Sequence, residues 1–222
     1  MTEAQLPIAR PGKIICVGLN YRDHAAEGGV EVPNSPVLFA KWPSALIGPG
    51  DPIVIPEASS DIDFEGELAV LIGDAATYVP QERALEHVAG YLILNDVTAR
   101  DLQASEAQWS RSKSFDTFGP VGPITAAADI PDPQQLGIRT WVNDELMQDG
   151  STADMVFSVA ELIAHISAGI TLEPGDIIAT GTPAGVGNGR TPPRFLTPGD
   201  KVRIEIDGLG TLENPVEAPS PR

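Results

Sequence analysis

Short stretches of strand length, apolar or alternating between apolar and polar residues, recur along this chain. They lie at residues 13–17, 68–72, 92–95, 138–142 and 201–206. Segments of this length that are rich in Val and Ile favour β-strands over helices. The pattern therefore predicts many short strands distributed over most of the chain.

Turn signals separate these predicted strands. Pro-Gly-Asp occurs at residues 49–51, 174–176 and 198–200, where Pro presets φ and Gly takes the positive φ of a type II turn. Asp207-Gly208 predicts a hairpin after the strand at 201–206. The 22 glycines and 21 prolines are spread through the chain and mark no linker. We therefore expect one domain over residues 1–222, in which residues 1–45 include an N-terminal arm and a lid segment around 20–35.

Helical spacing is found in fewer segments, at residues 80–88, 98–108 and 158–167. Thr98 is the expected N-cap of the second, and Ser158 with Glu161 forms a capping box on the third. The strand–helix–strand alternation of a Rossmann sheet is missing. These patterns predict a mostly β fold with a few helices (α+β), arranged as a mixed, largely antiparallel roll or sandwich.

Composition excludes several classes of function. The 222 residues carry a formal net charge of −17, which argues against nucleic acid as a partner because phosphate binding needs clustered Lys and Arg. The longest apolar runs are strand-sized, so no membrane span is predicted. The first ten residues include Glu3 and have no apolar run typical of a secretory signal, so cytoplasm is the default location. Cys16 lies in a strand-like run and is expected to pack as a small hydrophobe.

Three carboxylates carry the main chemical signal. Glu65 and Glu67 flank one glycine before an apolar strand, and Asp96 follows the strand-like residues 92–95. Glu65 and Glu67 point to the same side of a strand, and two ionised groups so close need a positive partner. Carboxylate ligation without Cys or His selects a hard cation, so the expected cofactor is Mg²⁺ or Mn²⁺. Asp61 and Asp63, just upstream, are expected either beside this site or on the surface.

A solvated strand face with Asp96 as a helix cap explains the same residues almost as well. The apolar run that follows Glu67 favours the metal site, because unpaired carboxylates are costly in a strand buried on both faces. A third interpretation is a non-catalytic acidic β-domain that binds Ca²⁺ structurally.

A histidine–carboxylate pair is the second candidate. If residues 20–27 form a helical turn, His24 and Glu27 share one face at i, i+3, before Gly28-Gly29. A carboxylate beside an imidazole fixes its tautomer and raises its basicity, as a general base requires. A surface His–Glu pair is the competing interpretation. His87 and His165 lie among apolar residues at helical spacing and are interpreted as structural.

Two further segments could contact a substrate. Lys113 lies among polar and aromatic residues and could present a cation to a carboxylate or an oxyanion, although a surface lysine has the same signature. The glycine-rich residues 180–187 could offer backbone N–H groups and the Thr182 hydroxyl to an anion. They are not a nucleotide loop, because no Gly-Lys-Ser/Thr and no helix start follow. Trp42, Trp109 and Trp141 are interpreted as core or rim residues.

Taken in order, these motifs resemble the fumarylacetoacetate hydrolase family, in its short single-domain branch. The resemblance runs from Lys13 to about Val216, through residues 17–21, 64–68, 95–103, 113–116 and 180–187. It implies a mixed β-sandwich roll and a homodimer. It also implies Mg²⁺ or Mn²⁺ on Glu65, Glu67 and Asp96, a His24–Glu27 dyad on a segment that orders over substrate, and ligand contacts from Lys113, Thr182, Gln103 and Arg22.

The family resemblance implies a 2-oxo acid substrate, whose carboxylate and keto oxygen could chelate the metal. The first expectation is an acylpyruvate hydrolase, in which His24 activates water, Lys113 stabilises the oxyanion, and pyruvate and an acid are released. Oxaloacetate decarboxylation, and isomerisation or hydration of a dienoic 2-oxo acid, are the alternatives. The metal site alone does not separate these reactions.

Overall fold

The computed structural model describes residues 6–219, so the first five residues of the predicted N-terminal arm lie outside the described residues. The described strands are, in chain order, β1 (Ile14–Gly18), β2 (Val37–Lys41), β3 (Leu46–Ile47), β4 (Ile53–Val54), β5 (Ile62–Asp63), β6 (Gly66–Ile72), β7 (Val88–Asn95), β8 (Thr98–Ala99), β9 (Gly119–Pro120), β10 (Thr125–Ala126), β11 (Gly137–Val142), β12 (Glu145–Ser151), β13 (Ile177–Ala179), β14 (Lys201–Ile206) and β15 (Gly210–Glu217). The α-helices are α1 (Arg22–Glu27), α2 (Arg100–Ser105) and α3 (Val159–Ser167). The prediction of a mostly β fold with a few helices is confirmed.

Two sheets carry most of the strands. The larger has the order β10-β7-β6-β13-β1-β2, and the smaller has the order β12-β11-β14-β15-β4. Neighbouring strands are antiparallel except for β1 with β13 and β15 with β4. Two short pairs, β3 with β9 and β5 with β8, stand beside them. The arrangement is a mixed and largely antiparallel sandwich.

The six-stranded sheet is buried on both faces. One face meets the smaller sheet across a core that includes Leu68, Val70 and Ile204. The opposite face carries a second apolar cluster, with Cys16 and Ala69 at its centre. This explains the continuous apolar run of β6, because a strand covered on both sides needs apolar residues at every position. Cys16 is fully buried, as predicted for a small packed side chain.

Gly66 decides which way the two glutamates point. A Cβ built at Gly66 would lie only 2.4 Å from Thr140 Oγ1 of the smaller sheet, so the sheets meet there without room for a side chain. Successive residues of a strand point to opposite faces. The side chains of Glu65 and Glu67 are therefore directed away from the smaller sheet, towards the face where Cys16 lies.

The helix predictions are partly correct. Helix α3 has the predicted capping box between Ser158 and Glu161. The segment at 80–88 is a 3-10 helix over Gln81–His87. The prediction that Thr98 caps a helix over 98–108 is wrong, because Thr98 belongs to β8 and α2 begins at Arg100. Thr98 pairs with Asp63 of β5, so pairing between distant segments overrides the local capping signal.

The turn predictions are confirmed at the glycines. Gly50, Gly175 and Gly199 of the three Pro-Gly-Asp turns have φ of 80°, 91° and 98°, and Gly208 of the hairpin has φ of 79°. Each turn precedes a strand.

Among residues 6–219, every helix is too short or too polar to cross a lipid bilayer.

Candidate active site

A cavity of about 600 Å³ opens on the face of the six-stranded sheet that points away from the smaller sheet. Strand β1, helices α1 and α2 and the loop after β13 contribute to its wall. Residues that reach the cavity include Glu65, Glu67, Lys113, Arg100, Gln103, Thr182, His24, Glu27, Trp109 and Arg190. Most of the predicted site residues therefore meet in one place.

The three predicted metal carboxylates converge beside this cavity. One oxygen of each of Glu65, Glu67 and Asp96 lies within 4.8 Å of the other two. The pairing of Gly66 with Asn95 brings the start of β6 next to the end of β7, which explains how residues thirty positions apart meet. All three side chains are buried. They form a group that is able to hold a metal ion.

Two of these carboxylates are paired with buried cations. Lys113 Nζ lies 2.7 Å from Glu65 Oε2 and 2.8 Å from Asp96 Oδ2, and Arg100 Nη1 lies 2.8 Å from Glu65 Oε1. Burial alone would raise the pKa of Glu65, but Lys113 and Arg100 outweigh it and lower that pKa to about 2. The same contacts raise the pKa of Lys113 to about 12, against the effect of its burial. Lys113 is thus a fixed cation within the carboxylate group.

Glu67 is different, because no Lys or Arg among the described residues pairs with it. Its Oε2 accepts a hydrogen bond of 2.9 Å from the backbone N–H of Gly181. Burial, together with the nearby Asp96 and Glu65 carboxylates, raises the pKa of Glu67 well above its ordinary value. A divalent cation between the three carboxylates would supply the missing positive charge. The residues present therefore fit a hard, oxygen-ligated metal ion held by Glu65, Glu67 and Asp96.

Two cations of this site, Lys41 and Arg100, were not predicted as site residues, and Asp63 was expected either beside the site or on the surface. Lys41 is buried, with Nζ 2.9 Å from Asp96 Oδ1. Arg100 Nε lies 2.8 Å from Asp63 Oδ2. The period-two spacing of Asp63 with Glu65 and Glu67 was a usable signal. Arg100 offered none in its local sequence, because its partners Asp63 and Glu65 lie far upstream in the chain. For Lys41, the only signal was that lysine is rare in this chain, because its contact with Asp96 joins residues 55 positions apart.

The predicted dyad is formed on α1. His24 Nδ1 lies 3.2 Å from Glu27 Oε2, and both side chains are 18% exposed. Glu27 Oε1 also accepts the backbone N–H of Gly185 at 2.9 Å. Burial opposes ionisation of Glu27, but these hydrogen bonds outweigh it and lower its pKa. Glu27 therefore stays ionised and holds the ring of His24 through Nδ1, which leaves Nε2 as the ring nitrogen without a hydrogen bond to a described residue.

The glycine-rich loop donates its backbone N–H groups to the protein's own carboxylates. Gly181 N donates to Glu67, Ala184 N to Asp23 and Gly185 N to Glu27. The loop therefore binds anionic groups as expected, but these groups are carboxylates of the protein itself. Through them the loop links Glu67 to helix α1.

Thr182 and Gln103 reach the cavity but are also held by the protein. The Thr182 hydroxyl donates to Gly66 O at 2.9 Å and accepts from Gln148 Nε2 at 2.7 Å. In this arrangement it has no proton left for a ligand. Gln103 Oε1 accepts from Arg100 Nη1 at 3.0 Å, so its amide nitrogen is the group left to face a substrate.

The Arg22 side chain, predicted to contact the substrate, lies outside the cavity. Its Nη1 donates to the carbonyl oxygens of Met155 at 2.8 Å and Asp154 at 3.2 Å, and it is not among the residues that line the cavity. Its guanidinium instead anchors the start of α1 to the loop before α3. Trp109 does reach the cavity, where it meets Phe39 edge to face at 5.4 Å.

The β-sandwich thus carries a buried three-carboxylate centre that could hold a metal ion, with three cations beside it and a histidine–carboxylate dyad in the same cavity. The family model described as fumarylacetoacetate (FAA) hydrolase C-terminal matches residues 13–217. The chain belongs to the fumarylacetoacetate hydrolase family.

Named relatives place the chain within this family. It is 52% identical over 215 residues to oxaloacetate tautomerase YisK of Bacillus subtilis, covering 95% of this chain and 71% of that protein. It is 50% identical over 213 residues to the mitochondrial oxaloacetate tautomerase fahd2 of Xenopus laevis, covering 95% of this chain and 67% of that protein. The crystal structure of 2-hydroxyhepta-2,4-diene-1,7-dioate isomerase from Mycobacterium marinum superimposes with a TM-score of 0.84 at 42% identity, covering 96% of this chain and 77% of that chain.

Proposed function

We propose that this protein is a divalent-metal-dependent tautomerase of 2-oxo acids, with interconversion of enol and keto oxaloacetate as its reaction. The observation that carries the proposal is the 52% identity to an oxaloacetate tautomerase, which covers 95% of this chain. The sequence put acylpyruvate hydrolysis first, with oxaloacetate decarboxylation and isomerisation or hydration of a dienoic 2-oxo acid as alternatives. Tautomerisation of oxaloacetate was not predicted, although it is an isomerisation of a 2-oxo acid. The two relatives described above carry the tautomerase name, whereas other relatives of 50% identity are named putative hydrolases.

Glu65, Glu67 and Asp96 would hold the metal, for which we propose Mg²⁺ or Mn²⁺ because all three donors are carboxylate oxygens. When bound, such an ion polarises the carboxylate and keto oxygen of a 2-oxo acid and favours the enol form.

The cations beside the carboxylates would orient an anionic substrate. Arg100 lines the cavity, and its buried Nη2 has no hydrogen-bond partner among the described residues, although Nε and Nη1 are engaged. A buried donor without a partner is costly, so this N–H group is expected to bind a substrate oxygen. Lys113 keeps its charge through two carboxylate contacts and adds to the positive potential on the same side.

The His24–Glu27 dyad would move the proton. Conversion of the enol to the keto form removes a proton from oxygen and adds one to the neighbouring carbon, so a single group that accepts and returns a proton suffices. His24 can do both, because Glu27 supports the imidazolium through Nδ1 while Nε2 remains for the substrate. The same dyad could activate water, and acylpyruvate hydrolysis is therefore the second candidate.

Freshly dissolved enol oxaloacetate provides the test, because its ultraviolet absorbance falls as the keto form appears. We expect the wild-type protein to accelerate this fall with Mg²⁺ or Mn²⁺, and to stop doing so with EDTA. Pyruvate release from oxaloacetate and from acetylpyruvate is measured on the same samples. Metal-dependent pyruvate release from acetylpyruvate without acceleration of the enol reaction would replace the proposal by the hydrolase, and release from oxaloacetate alone would make the protein a decarboxylase.

A further inference from the structure

Asp63 is a fourth buried carboxylate beside Glu65, Glu67 and Asp96. Of these four carboxylates, it accepts the most hydrogen bonds. It is fully buried at the end of β5. Its Oδ1 accepts from Gly187 N at 2.7 Å and Phe64 N at 2.9 Å, and its Oδ2 accepts from Asn188 N at 3.0 Å and Arg100 Nε at 2.8 Å. With four donors around two oxygens, Asp63 has no capacity left for a metal ion.

Two of these donors come from the cavity wall. We call residues 186–191 the roof segment, because most of them line the cavity. The 3-10 helix Gly187–Gly189 lies within it. A Cβ at Gly187 would lie 2.6 Å from Asp63 Oδ1 and 2.1 Å from Arg194 O, so the backbone of the roof segment packs directly on the Asp63 carboxylate. The position of the roof segment therefore depends on Asp63.

The fourth donor leads to the metal group. Arg100 donates through Nε to Asp63 and lies through Nη1 2.8 Å from Glu65 Oε1. A guanidinium is planar and rigid, so the two carboxylates fix its orientation together. Asp63 also balances the charge of Arg100. Without that balance, the whole attraction of Arg100 would fall on Glu65 and compete with a metal ion for it.

We propose that Asp63 is a positioning residue that couples the roof segment to the metal carboxylates through Arg100. Its Oδ1 holds the backbone N–H of Gly187, and its Oδ2 holds both the backbone N–H of Asn188 and the guanidinium of Arg100 that lies on Glu65. A disturbance at either end is then transmitted to the other end. This inference rests on the metal site proposed above, and it does not depend on which reaction the site performs.

The variant Asp63→Asn tests both ends, with Asp61→Asn as a matched control. Within residues 6–219, the Asp61 side chain accepts a hydrogen bond only from Ser60 Oγ, at 3.1 Å, so its variant changes the same charge two residues away. Two quantities are measured on the full chain: the amide hydrogen-exchange rates of Gly187 and Asn188, and the dissociation constant for Mg²⁺ by calorimetry. Neither depends on enzyme activity.

We expect Asp63→Asn to speed exchange at Gly187 and Asn188 by about tenfold or more, since charge-assisted hydrogen bonds are lost. We expect it to weaken Mg²⁺ binding by about ten- to a hundredfold, the usual effect of removing a group that orients a metal ligand. Asp61→Asn should change neither. If Asp63→Asn lowers only the melting temperature, and exchange and Mg²⁺ affinity match the control, Asp63 is merely structural and the proposal is wrong.

Gly187→Ala approaches the coupling from the other end, and serves if Asp63→Asn does not fold. It changes no charge but forces the roof segment away from Asp63, so we expect weaker Mg²⁺ binding here as well. Unchanged Mg²⁺ affinity together with faster exchange at Asn188 would refute the coupling. A wild-type protein that binds neither Mg²⁺ nor Mn²⁺ would overturn the metal site itself, and the exchange rates would still decide whether Asp63 holds the roof segment.

Discussion

Lys41 Nζ lies 2.9 Å from Oδ1 of Asp96, and both side chains are completely buried. The other oxygen of Asp96 is taken by Lys113, so this carboxylate lies between two lysines. The ammonium of Lys41 also donates to the carbonyl oxygens of Phe118, at 2.8 Å, and of Lys113. Lys41 thus fixes Asp96 directly and Lys113 through its backbone, without lining the cavity itself.

Replacement of Lys41 by Met should therefore destabilise the fold strongly. The variant keeps the volume but leaves Asp96 with one cation fewer in a site without solvent, a change that costs about 3–5 kcal/mol when one partner of a buried pair is removed. We expect the free energy of unfolding in urea with EDTA to fall by this amount. Lys201→Met, which removes a lysine with a half-exposed side chain, is the control and should change it by less than about 0.5 kcal/mol. An equal effect of both variants would mean that Lys41 is not paired as described.

Glu67→Gln should abolish metal binding, and yet it should make the metal-free protein more stable relative to the wild type as pH rises. Burial and the neighbouring carboxylates raise the pKa of Glu67, so in the absence of metal the folded protein holds a proton there that the unfolded chain releases. That contribution to stability is complete below the ordinary glutamate pKa and is lost as pH rises towards the raised value. In EDTA, wild-type stability should therefore fall relative to Glu67→Gln as pH rises.

The measurement is urea unfolding of both proteins in EDTA at several values between about pH 5 and 8, and melting with and without Mg²⁺. We expect Mg²⁺ to raise the melting temperature of the wild type by mass action and to leave that of Glu67→Gln unchanged. If the stability difference between the two proteins is the same at every pH, Glu67 is ionised without metal and some unrecognised cation balances it.

Most signals between residues close together in the chain predicted the structure correctly, whereas the pairing of the buried cations with distant segments was not predicted. The Ser158–Glu161 capping box, the turn glycines and the His24–Glu27 pair all depend on residues within a few positions of one another. Glu65, Glu67 and Asp96 could be grouped because carboxylates of like charge in apolar strands need an explanation. The helix start at Thr98 was misplaced because β5 competes for the same residues.

The burial of the site's cations could not be predicted from the sequence alone. A lysine or arginine is compatible with a solvated surface wherever it occurs, and only tertiary pairing shows that Lys41 and Arg100 are buried against carboxylates. The same holds for Thr182, whose hydroxyl is used between Gly66 and Gln148 rather than left for a ligand. Which hydrogen bonds a side chain has already made is decided by the fold.

Asp200 lies away from the cavity and offers a test of acid sensitivity. Burial would raise its pKa, but hydrogen bonds from Arg194, Thr197 and Asn143 outweigh it and lower the pKa. The stability it contributes is therefore present above the ordinary aspartate pKa and is lost as pH falls through the lowered value.

Asp200→Ala should lower the free energy of unfolding at pH 7 by about 2 kcal/mol, because three hydrogen-bonding partners lose their acceptor. The loss should shrink as pH falls below the ordinary aspartate range, while enzyme activity at pH 7 stays unchanged. The exposed Asp144→Ala, in a nearby turn, is the control and should have little effect at any pH. A loss of stability that is equally large in acid would show that Asp200 acts by packing and not by charge.

Variants of the His24–Glu27 dyad should distinguish reactions that need proton transfer by His24 from reactions that need only the metal. His24→Ala removes the group that accepts and returns the proton, so we expect enol–keto conversion and any acylpyruvate cleavage to slow by about a hundredfold or more. Metal-driven decarboxylation of oxaloacetate should be spared, since Glu65, Glu67 and Asp96, the carboxylates proposed to hold the metal, are unchanged in this variant. Glu27→Gln keeps the imidazole but weakens its orientation and its charged form, and should cause a smaller loss. Glu31→Gln, at an exposed position after α1, is the control. If His24→Ala converts enol oxaloacetate at the wild-type rate, the imidazole takes no part in proton transfer, and another group of the cavity must supply it.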